Sequence, residues 1–102
     1  LSQLLENLIF IELKRRRYKV ATGKVDDKEV DFIVKDNDDK LKYIQVAVSV
    51  MDDDKLKQEL RPFETINDNY PKYIITLDDY FTQDHNGIKT INAIDFLLGE
   101  NI

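Results

Sequence analysis

Residues 41–50, Leu-Lys-Tyr-Ile-Gln-Val-Ala-Val-Ser-Val, restrict the possible folds more than any other stretch of the chain. β-Branched and aromatic residues dominate it, which predicts a strand. Period two puts Ile44, Val46, Val48 and Val50 on one face and Tyr43, Gln45, Ala47 and Ser49 on the other. A strand with one wet face would alternate apolar and polar, and this one is largely apolar on both sides. Such a strand belongs in the middle of a sheet with a covering layer on each face. The chain must therefore supply further strands and at least two helices.

It does so in order. The spacings Leu1–Leu5–Leu8 and Leu4–Leu8–Ile11, widened by Ile9 and Leu13, predict a helix over 1–17 packed hard against the sheet. Residues 18–22 and 29–35 predict two strands, the second with Val30, Phe32 and Val34 on one face and Asp31 and Ile33 on the other. Gly23 with Asp26-Asp27, and the run Asp36-Asn37-Asp38-Asp39, supply turn chemistry. Asp52 is placed to cap a second helix carrying Leu56, Leu60 and Phe63, which Pro62 should kink or split. Residues 73–77 read as a buried strand, 78–87 as loop and 88–91 as a short edge strand. Asn92 caps a last helix, which Gly99 stops. The order α-β-β-β-α-β-(β)-α gives an α/β fold: an antiparallel meander, a helical crossover and a mixed sheet flanked by helices.

Composition narrows the chemistry. The 102 residues suit one domain. The absence of cysteine excludes a disulfide scaffold and thiolate-held metals. His85 is the sole histidine, so a Ser/His/Asp triad could use no other base, and its place in Gln83-Asp84-His85-Asn86-Gly87 reads as loop. The Asp clusters lack the spacing of a calcium loop. No apolar run is long enough to span a bilayer, no secretory signal is visible, and a cytoplasmic address is the expectation. The first residue is Leu, which is expected of a piece of a longer polypeptide. A net charge of −5 opposes general nucleic-acid binding, but Lys14, Arg15, Arg16 and Arg17 with Lys19 form a local basic run. That run is either a phosphate-contacting corner or the usual cationic complement of a helix C-terminus.

Five separated strings, ENLIFIELKRRRYKV, GKVDDKEVDFIV, YIQVAVSV, LRPFETINDNYPKYIITLDD and GIKTINAIDFLL, resemble in order the C-terminal domain of unknown function that follows the AAA+ module in a family of predicted prokaryotic ATPases. The likeness covers nearly the whole chain. It implies that 1–102 is a single nuclease-like C-terminal domain with its own N-terminal AAA+ module as partner. No Gly-x-x-x-x-Gly-Lys motif occurs, so ATP is expected only on that absent module. The element order resembles the restriction-endonuclease-like fold of the PD-(D/E)XK superfamily. There a helical Glu, a strand Asp and a Glu-x-Lys pair gather around a divalent metal.

On that resemblance the matching positions are Glu6, Asp31, Gln45 and Ala47. Phosphodiester hydrolysis needs a metal such as Mg²⁺ to polarise phosphate and ionise water, and Mg²⁺ prefers carboxylate oxygens. Asp31 suits that role. Gln45 offers only a neutral oxygen, and Ala47 supplies no cation, which Lys57 or Arg61 would have to replace. Glu6, beside Ile9 and Phe10, is the helical acid expected to reach the sheet, whereas Glu12, beside Arg15 and Arg16, is expected to form a surface pair. Each has a plainer reading: Asp31 as a solvent-side strand residue, Gln45 as a buried amide paired with Glu6 or backbone, Glu6 as a solvated acid, and Arg61 as a capping or pairing residue. Three functions follow: a nuclease-like domain that has lost cutting and binds nucleic acid or another partner, a docking or self-association module, and an active nuclease with a relocated cation. The first is the expectation.

Overall fold

A computed structural model describes residues 1–79 and 83–102. It shows a mixed α/β fold with the elements α1 (Ser2–Arg15), β1 (Lys19–Val25), β2 (Lys28–Lys35), β3 (Leu41–Val46), α2 (Asp53–Glu64), β4 (Lys72–Thr76), β5 (Gln83–His85), β6 (Ile88–Asn92) and α3 (Ala93–Leu97). The six strands form one sheet in the order β1-β2-β3-β4-β6-β5. The β1–β2 and β2–β3 pairs are antiparallel, β3–β4 and β4–β6 parallel, and β5–β6 antiparallel. The stretch read as loop over 78–87 thus contains a three-residue strand, and its residues 80–82 lie outside the described residues.

The expected layers are present. Leu5, Ile9 and Leu13 of α1, with Ala93 and Phe96 of α3, pack on Phe32, Val34, Ile44, Val46, Ile75 and Ile91. On the other face Phe63 of α2 and Ile66 pack with Tyr43, Ala47, Ile74 and Ile88, with Leu56 and Leu60 alongside. Tyr43, Ile44, Val46 and Ala47 are all buried, as a central strand requires. Two differences concern β3. It ends at Val46, and the chain then follows β4 through isolated bonds: Ala47 N–H to the Ile75 carbonyl and Leu77 N–H to the Val48 carbonyl, both 3.0 Å. With the pleat lost, Val50 joins the α2-side cluster and not the face of Ile44 and Val46.

β2 departs from simple alternation for a local reason. Ala21 pairs with Ile33 and Gly23 with Val30, so two steps along β1 match three along β2. The extra residue falls at Asp31–Phe32 and makes a β-bulge. Val30 therefore packs in the α2-side core while Phe32 and Val34 pack under α1, which corrects the expectation of one shared face.

The helices are set by their ends. Asp52 caps α2, accepting from Asp54 N–H at 2.8 Å and Lys55 N–H at 3.2 Å, and Asn92 caps α3 through Asp95 N–H at 3.0 Å. Pro62 does not split α2, which runs on to Glu64. Pro62 has no N–H to give the carbonyl one turn back, but only two residues of helix follow it, so little of the helix depends on that bond. α1 stops with Tyr18 N–H on the Leu13 carbonyl and Arg17 N–H on the Lys14 carbonyl, with Arg17 at φ 64°. This is a Schellman-type stop with arginine where glycine is usual.

Glu12 pairs with Arg15 and Arg16 as expected, but it does so buried, at 6% exposure, and not at the surface. It accepts from Arg15 Nε and Nη2 (both 2.9 Å) and from Arg16 Nε (2.7 Å). Those bonds, Arg15's first, hold its pKa down at about 2 against the opposing effect of burial.

Candidate functional site

The bulge in β2 places the residues of interest. Where it carries Asp31 past the end of the β2–β3 ladder, side chains continue the pairing that the backbone gives up. Gln45 Oε1 accepts from Asp31 N–H at 2.7 Å, and Asp31 Oδ2 accepts from Val46 N–H at 2.8 Å. The ladder proper ends one residue earlier, at Phe32–Ile44. Asp31 and Gln45 therefore form a reciprocal clamp between two strands, each engaging an oxygen that a metal would need.

A cleft of about 400 Å³ opens beside this clamp, lined by Asp31, Gln45, Glu29, Glu59, Arg61 and Pro62 among others. Arg61, one of the two cations expected to substitute for the missing lysine, lines it. Lys57 is exposed on α2 and does not. Ala47, where the resemblance implies that lysine, is buried at 5% exposure and packs in the α2-side core. Gln45 is 7% exposed, and among the described residues its Nε2 makes no hydrogen bond, which leaves a donor at the cleft.

Glu6 on α1 does not line the cleft and makes no hydrogen bond or ion pair among the described residues, but it feels the charge of Asp31. Its pKa is raised, first by burial and then by the charge of Asp31. Burial also raises the pKa of Asp31, with Glu29 adding to the shift and the Val46 N–H opposing it. Glu59 was not singled out from the sequence, yet it belongs here. Burial raises its pKa, followed by the charges of Asp31 and Glu6, with Lys55 opposing. Its only sequence signal is the helical register, two positions before Arg61 on α2, which means nothing until α2 is laid across β2. Glu6, Asp31 and Glu59 thus share an electrostatic neighbourhood, and each carries an elevated affinity for protons.

Octahedral Mg²⁺ would need several free oxygens converging within about 2.1 Å of one point. Asp31 Oδ2 and Gln45 Oε1 are both occupied by backbone donors, and among the described residues no three His, Cys, Asp or Glu side chains group closely enough to hold a metal ion. Asp31 Oδ1 accepts no hydrogen bond among the described residues, so the set offers one free carboxylate oxygen where the resemblance implies several ligands.

The basic run divides. Arg16 is structural: its side chain is 10% exposed, its Nη2 donates to the Phe96 carbonyl at 2.7 Å, and its guanidinium lies 4.2 Å from the centre of the Phe96 ring. Arg15 is tied to Glu12 at one end and otherwise exposed. Lys14 and Arg17 are exposed, and among the described residues neither has a carboxylate partner.

Comparison with known proteins finds similarity to part of a longer protein. It is 43% identical over 94 residues to an uncharacterized protein of Haemophilus influenzae. Those residues are 92% of this chain and 22% of that protein, so the chain spans about a fifth of the relative's length. No family model matches the chain, and no solved structure matches it. Among the described residues no helix is long and apolar enough to cross a membrane.

Proposed function

We propose that this chain is a nuclease-fold accessory domain of a larger ATPase polypeptide, that its cutting chemistry has been lost, and that it serves to bind nucleic acid or a protein partner. The observation that carries the reading is the clamp. At the place where a PD-(D/E)XK nuclease would offer a metal two free acidic oxygens and a lysine, this chain has Asp31 and Gln45 bonded into each other's strands and Ala47 in the core. The order of α1, the β1–β2–β3 meander, α2 and the parallel β4 supports the restriction-endonuclease-like assignment. The small share of the Haemophilus relative that the chain covers supports an attached module.

The test is incubation of the purified chain with duplex and single-stranded DNA and RNA in millimolar Mg²⁺ or Mn²⁺. No cleavage above a metal-free control is expected. Metal-dependent cleavage that disappears in Asp31→Asn would overturn the loss of chemistry. It would favour the second reading, an active nuclease in which Arg61 replaces the strand lysine, for which Arg61's place in the cleft is the supporting observation. In that case Arg61→Ala should abolish cutting and Lys57→Ala should not.

A further inference from the structure

The corner where α1 hands over to β1 carries cations that the fold does not need. Lys14 and Arg17 close the helix, Lys19 opens β1, and Lys35 closes β2 directly opposite Lys19. Lys14, Arg17 and Lys19 are exposed, Lys35 is half-buried, and among the described residues none has a carboxylate within ion-pair distance. The neighbouring turn does contain acids. Asp36 is engaged by Lys42 at 3.2 Å, while Asp38 and Asp39 are exposed.

Two of these positions are unfavourable to the fold itself. Arg17 occupies a left-handed conformation at φ 64°, where glycine would be unstrained. Lys19 and Lys35 set like charges opposite each other on paired strands, an arrangement that repels. Protection of an open sheet edge could explain Lys19 on β1, but not Lys35 on an interior strand or the strain at Arg17. Cations at two places where neutral residues would be more stable give a chain of net charge −5 a local positive surface that suits an anion.

We propose that Lys14, Arg17, Lys19 and Lys35 form a phosphate-contacting corner for the backbone of a nucleic acid, while Arg15 and Arg16 of the same run serve the fold. The segments 14–20 and 35–40 expose no large apolar side chain, which favours a nucleic acid over an anionic membrane. Ile11 is exposed one helical turn before Lys14, so the vesicle arm of the experiment is the one that separates the two. The corner lies at the end of β2 away from the Asp31 bulge, so it does not depend on the nuclease-like reading. A cleavage result and a binding result can fail separately.

The experiment measures the affinity of a fluorescent 20-base-pair duplex and a 20-nucleotide single strand for the chain, from about 20 to 200 mM NaCl, alongside thermal unfolding of each variant. Binding at low salt should weaken with a log–log slope of about −3 to −4 on duplex, as four phosphate contacts require. Arg17→Gly should weaken binding about threefold and Lys19→Thr/Lys35→Thr about tenfold, and both should unfold at a higher temperature than the parent. Lys24→Ala, on β1 beyond the corner, should leave affinity unchanged. The opposite signs of the two readouts separate a retained binding surface from a structural role. The proposal is overturned if no binding occurs at the lowest salt, if the corner variants bind like the parent, or if they prove less stable. Binding to phosphatidylserine-containing vesicles without binding to either nucleic acid would also overturn the choice of partner.

Discussion

Asp31 shows how far one residue's role depends on its neighbours' geometry. As a sequence letter it is an acid in a strand. In the fold it is the acceptor for a backbone N–H on the adjacent strand, at a bulge that re-aims it. Asp31→Ala should therefore destabilise the protein by about 1–3 kcal/mol, because it strips the Val46 N–H of its partner in a nearly dry place. Asp31→Asn retains a carbonyl oxygen for that donor and should be at least as stable as the parent at neutral pH. Equilibrium denaturation of the two variants separates a clamp from a ligand position, since a residue needed only for metal would tolerate both changes. A buried Gln45 bonded to backbone was legible from its place on a central strand, and the donor is the Asp31 N–H. The form of the clamp was not, because a bulge is a misfit between two strands and neither strand's sequence alone announces it. Glu59 escaped notice for a similar reason: an acid on an amphipathic helix acquires meaning only from the strand beneath it.

At the level of elements, α1 is the instructive case. It carries apolar residues on more of its circumference than the sheet covers. Leu5, Ile9 and Leu13 are buried, whereas Leu1, Leu4, Leu8 and Ile11 are exposed, Leu4 at 57% and Ile11 at 60%. The wide stripe read from the sequence thus resolves into a packed line and an open one, and periodicity cannot distinguish them because both repeat every three to four residues. Ile9→Ala should cost about 2–5 kcal/mol, while Ile11→Ala should stay within about 0.5 kcal/mol, as read from urea unfolding midpoints. For α2 the cap was legible from Asp52 followed by helical spacing, and the structure bears it out. Asp52→Ala should cost about 1 kcal/mol and speed amide exchange in the first turn of α2. Pro62 was expected to kink or split α2, and it does not split it: the helix continues to Glu64.

For the molecule as a whole, acid titration should report two opposed sets of carboxyl groups. Glu6, Asp31 and Glu59 take up protons more readily in the fold than in the unfolded chain, so their protonation stabilises the fold as pH falls toward their raised values. Glu12 is held at about 2, so its contribution is complete above its ordinary value of 4.5 and is lost as pH falls from there through about 2. Asp36, held low first by the Lys40 backbone N–H, acts in the same sense. The unfolding temperature should hold or rise from pH 7 to about 5 and fall steeply below about 4. Asp31→Asn should flatten the rise. Calorimetry across that range checks it, and a steady fall from pH 7 to 5 that is identical in both proteins would refute the assignment. The layered mixed sheet was legible because burial of both faces of one strand leaves few other solutions. The bulge has one more consequence, for tolerance to changes in length. Asp31 lies in the one place where β2 carries a residue more than its partner, so deleting it would let the strand alternate simply, with Val30 still opposite Gly23 and in its own layer. A codon missing there would remove the clamp and spare the core.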